Sequence, residues 1–263
     1  MFSGVRGLML DVTGVLYESG GCAVPGGPAA LQRLRERGYK VVLVSNESTQ
    51  PTSVLVDKLR GLGYSYLTVD DVITPVPAVI DVIRQRSLNP HLLVHEQVVQ
   101  EFDCVLQEAP ATCVVVGDAE DNFSYARLNA AFSCLLNMPH PTLFSLGRGM
   151  YYRHGAALRL DVGAFTAALE AATGVTAEII GKPSSLYFHS ALKRLGLQPS
   201  QVVMVGDDLQ GDVVGAREVG CRAVLVQTGK YRAEWATHPA PTFVARDLAH
   251  AVARVLEDAG DGY

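Results

Sequence analysis

Short apolar runs that end on a polar residue alternate with longer helical patterns along most of this chain, and that alternation admits few folds. Residues 7–11 close as Leu8-Met9-Leu10-Asp11, residues 41–45 as Val42-Leu43-Val44-Ser45, and residues 202–206 run Val202-Val203-Met204-Val205-Gly206 into Asp207. Continuous β-branched and aliphatic residues leave no side of such a strand for water, which marks strands buried on both faces of a parallel sheet. Helical spacing fills the stretches between them: 28–37 ahead of Gly38, 54–62 ahead of Gly63, 185–195 and 248–256. The fold class expected is therefore α/β with a parallel sheet core.

The same alternation continues through the middle of the chain, with helices expected over 76–86, 125–136 and 165–173 and strands over 91–95, 112–117, 143–146 and 158–162. A further strand is expected over 223–226 and a helix over 212–219. Acidic, hydroxyl and lysine residues at strand ends or in adjoining turns occur before and after that middle block. The expected organisation is a core domain of residues 1–73 and 174–263 and an inserted cap of residues 74–173. The 263 residues suit this, being long for one domain and short for two full ones.

A strand that delivers a carboxylate directly into a glycine turn, as Asp11-Val12-Thr13-Gly14 does, is a poor way to build a core. It is a good way to hold a reactive acid at the carboxyl edge of a parallel sheet, where open α/β folds bind their ligands. Three later segments complete it: Val44-Ser45-Asn46, Gly181-Lys182-Pro183, and Gly206-Asp207-Asp208 with Asp212 downstream. An acid, a hydroxyl, a lysine and a second set of acids in that order spell metal-assisted phosphoryl transfer through an aspartyl intermediate. A carboxylate nucleophile is weak and is repelled by a phosphoryl dianion, so a hard divalent cation must bridge the two. Mg²⁺ takes oxygen ligands and keeps several waters, needing only one or two carboxylates. Asp11 and Asp207 can supply those, with the backbone carbonyl of Thr13 as a third protein ligand. Ser45 and nearby amides can hold the transferring oxygens, and Lys182 offsets Asp11 against the phosphate. Asp208 and Asp212 are expected just outside, holding waters or orienting Lys182.

These motifs, with Phe123-Ser124-Tyr125, Ser145-Leu146-Gly147-Arg148 and Leu160-Asp161-Val162-Gly163 in the middle block, make the chain resemble the haloacid-dehalogenase-like phosphatases. The resemblance extends over nearly the whole length. It implies a Rossmann-like core with a large cap between the second and third motifs, Mg²⁺ as cofactor, and a homodimer in the cytoplasm and also the nucleus. It further implies action on inorganic pyrophosphate and on N-phosphorylated side chains such as phosphohistidine and phospholysine. On this resemblance Asp11 and Lys182 are catalytic. Asp11, Val12, Thr13, Ser45, Asn46 and Lys182 contact substrate, and Asp11, Thr13 and Asp207 contact the metal. One position departs from the common pattern: where most members carry a second aspartate two residues after the nucleophile, this chain has Thr13, which makes a poor proton donor near neutral pH. Efficient cleavage of alkyl phosphate esters is therefore not expected. The competing readings are a capped phosphatase for a small metabolite ester and a phosphoryl-binding scaffold with little turnover.

Composition removes other classes. With a net charge of −5 and no long basic run, a nucleic-acid face is not expected. No apolar stretch is long enough to span a bilayer, and the apolar N-terminal stretch is broken by Asp11. Five scattered cysteines without a C-x-x-C pair read as reduced thiols. Three segments read as structural from sequence: Gly117-Asp118 as a cap turn facing the cleft, Asp161 as a helix cap, and Thr228-Gly229-Lys230 as a loop lacking the glycine spacing of a nucleotide-binding motif.

Overall fold

The computed structural model describes residues 1–18, 20–154 and 157–260. In chain order the elements are β1 (Gly7–Leu10), α1 (Gly27–Glu36), β2 (Lys40–Val44), α2 (Thr52–Gly61), β3 (Val72–Ile73), α3 (Pro75–Gln85), β4 (Pro90–Leu93), β5 (Cys113–Val116), α4 (Tyr125–Asn137) and β6 (Leu143–Ser145). There follow β7 (Tyr151–His154), β8 (Ala157–Leu160), α5 (Val162–Thr173), β9 (Glu178–Ile179), α6 (Ser185–Leu195), β10 (Val202–Gly206), α7 (Gly215–Glu218), β11 (Arg222–Val226), β12 (Phe243–Ala245) and α8 (Leu248–Gly260).

Two parallel sheets carry these elements. The larger has the order β12-β11-β10-β1-β2-β3, the smaller β4-β5-β6-β9. In the larger, successive side chains go to opposite layers. Leu8 and Leu10 of β1 pack with α1, α2 and α8, whereas Met9 packs with α6 and α7. All three are fully buried, each contributing roughly 1.5–3 kcal/mol of transfer free energy. The smaller sheet repeats the plan: Cys113, Val115 and Phe144 face α3, while Val114, Val116 and Leu143 face α4 and α5. Register in the larger sheet places the ends of β1 and β10 side by side, with Leu10 opposite Val205. Asp11 and Asp207 follow those ends directly.

The boundary expected at residue 173 falls inside the second unit. Glu178–Ile179 pairs with β6, and Ile180 packs in the layer of α3, so the cap reaches about residue 180 before the chain returns to the core. The expected strand over 158–162 is shorter, because Asp161 leaves it to accept the Val162 amide at 2.7 Å as the cap of α5. That strand pairs antiparallel with β7 in a separate hairpin. The expected helix over 212–219 begins instead as a wide turn, Leu209–Val214, in which the Val213 amide reaches the Asp208 carbonyl five residues back. Among the described residues no helix is long and apolar enough to cross a membrane.

Candidate active site

Every strand-end residue singled out in the core arrives at one edge of the larger sheet. Asp11, 8% exposed, follows β1 and is fixed by its amide bonding to the Val205 carbonyl at 2.9 Å. Lys182 enters from the return of the cap. Its ammonium lies 2.5 Å from Asp11 Oδ1 and 2.7 Å from Asp212 Oδ1, with only 4% of the side chain exposed. Asp11, Asp207 and Asp212 each offer a carboxylate oxygen within 4.8 Å of the others.

Asp207 and Asp212 are the most confined of the three, each 1% exposed, and Asp207 is the one that the loop after β11 touches. Its Oδ2 accepts the Lys230 amide at 2.7 Å, while Oδ1 is buried with no hydrogen-bond partner among the described residues. Two glycines make room for it. A Cβ on Gly14 (φ 90°) or on Gly229 (φ 59°) would collide with Asp207 Oδ2, and both backbones are left-handed. Thr228 Oγ1 donates to the Gly14 carbonyl at 2.5 Å, which ties the loop after β11 to the Thr13-Gly14 turn beside Asp207.

Three carboxylates against one buried lysine leave the cluster negative. Burial first, and then the neighbouring Asp11 and Asp212, push the Asp207 carboxyl well above the usual carboxylate range. Asp212 is pushed up to about 7 by burial and by Asp11, partly offset by Lys182. Burial works against the charge on Lys182, but Asp11 and Asp212 outweigh it and hold the ammonium protonated well above neutral pH. An orphaned buried oxygen among crowded carboxylates, with an all-oxygen donor set, suits a hard divalent cation. Asp11 and Asp207 would hold it, with Asp212 adjacent.

Several expected contacts take a more definite form. Ser45 is buried, and its Oγ accepts the Glu47 amide at 3.1 Å, a contact that uses a lone pair and not the hydroxyl proton. Tyr187 fixes the carbonyl of Ser45 at 2.7 Å and that of Ile73 at 3.0 Å. The side chain of Asn46, expected on the substrate, is committed to the peptide of Lys182: Nδ2 donates to the Lys182 carbonyl at 3.0 Å and Oδ1 accepts its amide at 2.8 Å. Asn46 therefore positions the lysine, and a substrate would meet its backbone. The Val12 side chain is buried in the core, so it too can offer only backbone. Thr13 Oγ1 is exposed and donates to the Tyr17 hydroxyl at 3.0 Å. Asp212 belongs to the cluster itself and orients Lys182. Asp208 turns away, its Oδ1 capping the amides of Gln210 and Gly211 at 3.0 and 2.9 Å.

Thr228, Gly229 and Lys230, which fail as a nucleotide motif in sequence, stand beside the cluster in the fold. The signal that would have found them is positional: they follow β11, the strand next to β10, and so must emerge beside Asp207. Ser48 was also missed as a contact. Its Oγ accepts the Asp118 amide at 3.1 Å, joining the core loop to the end of β5 in the cap.

Comparison with known proteins adds to this geometry. Residues 8–109 match the haloacid dehalogenase-like hydrolase family, and residues 179–251 match a second family described as HAD-hydrolase-like. A Xenopus laevis protein named phospholysine phosphohistidine inorganic pyrophosphate phosphatase is 44% identical over 256 residues, covering 95% of this chain and 94% of the relative. A Homo sapiens protein of that name is 43% identical over 263 residues, covering 98% and 96%. Among solved structures, a 4-nitrophenylphosphatase from Thermotoga maritima superposes with a TM-score of 0.86 at 25% identity, covering 96% of this chain and 98% of its own.

Proposed function

Because the chain belongs to the haloacid dehalogenase-like hydrolases, and within them to the group formed by these Xenopus and human relatives, we propose that it is a phosphatase acting on inorganic pyrophosphate, phosphohistidine and phospholysine. The observation that carries this reading is the arrangement of Lys182 between Asp11 and Asp212 beside the orphaned Oδ1 of Asp207.

Asp11 is the nucleophile. A carboxylate oxygen attacks phosphorus, an acyl phosphate bond forms, and the P–O or P–N bond to the leaving group breaks with its electron pair. Water then attacks phosphorus, returning the Asp11 carboxylate and releasing phosphate. Lys182 holds Asp11 at 2.5 Å, so the approaching phosphoryl group meets a carboxylate whose charge is already partly offset. Ser45 can donate its hydroxyl proton to a phosphoryl oxygen. Mg²⁺ is the proposed cofactor, held by Asp11, Asp207 and the Thr13 carbonyl, and when bound it neutralises phosphoryl charge. With Thr13 in place of a carboxylic acid, the residues favour leaving groups that depart without a strong proton donor. Phosphate departs from pyrophosphate as a stabilised anion, and the nitrogen of a phosphoramidate takes its proton from water as the P–N bond breaks.

A homodimer is proposed for the assembly, supported by the exposed apolar residues Met150, Tyr151, Leu158 and Leu160 around the β7–β8 hairpin. Cytoplasm and nucleus are the proposed locations, in keeping with free thiols at Cys22, Cys104, Cys113, Cys134 and Cys221.

Phosphate release from pyrophosphate and from phosphohistidine with magnesium tests the activity. The wild type should turn over both, and Asp11→Asn should fall at least about a hundredfold with an unchanged melting temperature. An Asp11→Asn protein that keeps more than a hundredth of the rate would remove Asp11 from the nucleophile role.

A further inference from the structure

The cluster around Asp11 accounts for one phosphoryl group, yet pyrophosphate brings two. Resting on the activity proposed above, we infer that Lys230 receives the second, distal phosphate of a diphosphate substrate and so determines the preference for diphosphates over monophosphates.

The loop that carries Lys230 is laid against the site by two contacts. Thr228 Oγ1 bonds to the Gly14 carbonyl at 2.5 Å, and the Lys230 amide bonds to Asp207 Oδ2 at 2.7 Å. The side chain therefore starts beside the cluster that holds Asp11. Two lysines bear on that cluster, and they differ in what they have left to give. Lys182 is 4% exposed and gripped by two carboxylates at 2.5 and 2.7 Å. It is confined to the transferring group. The Lys230 side chain is 38% exposed, and the contact of its ammonium with Asp208 Oδ2 is 3.5 Å, beyond the 2.7–3.2 Å range of a good N–H···O bond. Asp208 does not depend on it, since its Oδ1 already accepts two amides.

A flexible point charge with donors in several directions suits a terminal phosphate whose rotation is not fixed. The effect must be selective. The nitrogen leaving group of phosphohistidine or phosphoramidate has no terminal dianion for Lys230 to meet, so removing the ammonium should weaken diphosphates alone. If instead Lys230 were only a counter-ion for the acids around it, its loss would disturb every ligand and the metal site together.

Calorimetric binding at saturating magnesium separates these cases, with methylenediphosphonate as a diphosphate that is not cleaved and orthophosphate as the single group. Lys230→Gln should weaken methylenediphosphonate about tenfold or more and orthophosphate less than about threefold, with Lys230→Arg recovering most of the difference. In turnover, Lys230→Gln should raise KM for pyrophosphate with kcat nearly unchanged and leave phosphoramidate kinetics alone. Its magnesium requirement should also hold, because Asp207 is bonded by the Lys230 backbone and not by its side chain. Equal weakening of both ligands, or no change in methylenediphosphonate binding, overturns the inference. A wild type that binds methylenediphosphonate through Lys230 but releases no phosphate from pyrophosphate would overturn the proposed activity and leave this binding role standing.

Discussion

Two strand ends in this molecule read almost alike. Val203-Met204-Val205-Gly206-Asp207 closes β10 in the core, and Val114-Val115-Val116-Gly117-Asp118 closes β5 in the cap. Both strands are buried and parallel to their neighbours. Only the first leads into a reactive cluster. Beside β10 runs β1, whose end delivers Asp11, and the loop after β10 folds back to add Asp212. Beside β5 run β4, which leads into Val94-His95, and β6, which ends in Ser145, and Ser145 is fully occupied by the Gly147 carbonyl at 2.7 Å and Thr166 Oγ1 at 2.8 Å. Asp118 Oδ1 is satisfied by the Glu120 amide at 3.2 Å, whereas Asp207 Oδ1 has no partner among the described residues. A glycine–aspartate turn is thus a local structure that becomes a chemical site only through what the adjacent strands bring to it.

The strongest way to break this comparison is to treat the two aspartates alike. Asp207→Asn should raise the half-saturating magnesium concentration at least about tenfold, since even indirect metal partners typically cost about 10–100-fold. Asp118→Asn should shift it less than about threefold. Magnesium titrations of phosphate release from pyrophosphate measure both, and equal shifts would mean that the metal site is not where the carboxylates converge.

A second change asks whether the core edge accepts the acid that it lacks. General acid catalysis typically contributes about 10²–10⁴-fold, most of it when the leaving oxygen is strongly basic. The wild type should therefore favour pyrophosphate over an alkyl phosphate by a large ratio of kcat/KM, and Thr13→Asp should narrow that ratio about tenfold at fixed magnesium and pH. A wild type that cleaves both equally well would show that another group supplies the proton.

The smallest effect concerns Asp118 alone and reads stability. Burial, followed by repulsion from Asp161, Glu120 and Glu47, outweighs the Glu120 amide and pushes its carboxyl up to about 6. A carboxyl with a raised folded pKa binds more protons in the native state, so its ionisation costs stability as pH rises between the unfolded value and about 6. Asp118→Asn should melt higher than wild type at pH 8, by the equivalent of about 1 kcal/mol once partial exposure is allowed for, and the gain should vanish near pH 4. A gain that persists at acid pH would trace to packing instead of charge.

The core and its chemistry were legible in sequence because they rest on long buried runs and on residues whose types are costly to bury without a reason. Asp11, Lys182 and Asp207 announce themselves at strand ends or in a return loop. The second sheet's last strand did not, since Glu178–Ile179 has two residues and no periodicity to read. β3 was missed for the same reason. Of the β7–β8 hairpin only the second strand, expected over 158–162, was legible, and Ala157–Leu160 is exposed throughout, with no alternation between a buried and a wet face. A second role of Asn46 was not legible: its residue type suits a phosphate contact, and only the fold reveals that its side-chain amide faces the Lys182 peptide. Lys230 was hidden by a different limit, because its value lies in which strand it follows and strand order is not written in local sequence.

The reciprocal pair between Asn46 and Lys182 has a consequence for modularity. Ile179 closes the last strand of the cap, and Lys182 is three residues further on, so a shift of the cap bears almost directly on the lysine. Asn46 belongs to the core and clamps the lysine peptide at both its N–H and its carbonyl, acting as a strain relief on that lead. A cap grafted from another protein, joined ahead of Pro75 and after Ile180, would hang from a lysine already anchored. The cap is then free to drift or be redesigned while the reacting groups below stay in register.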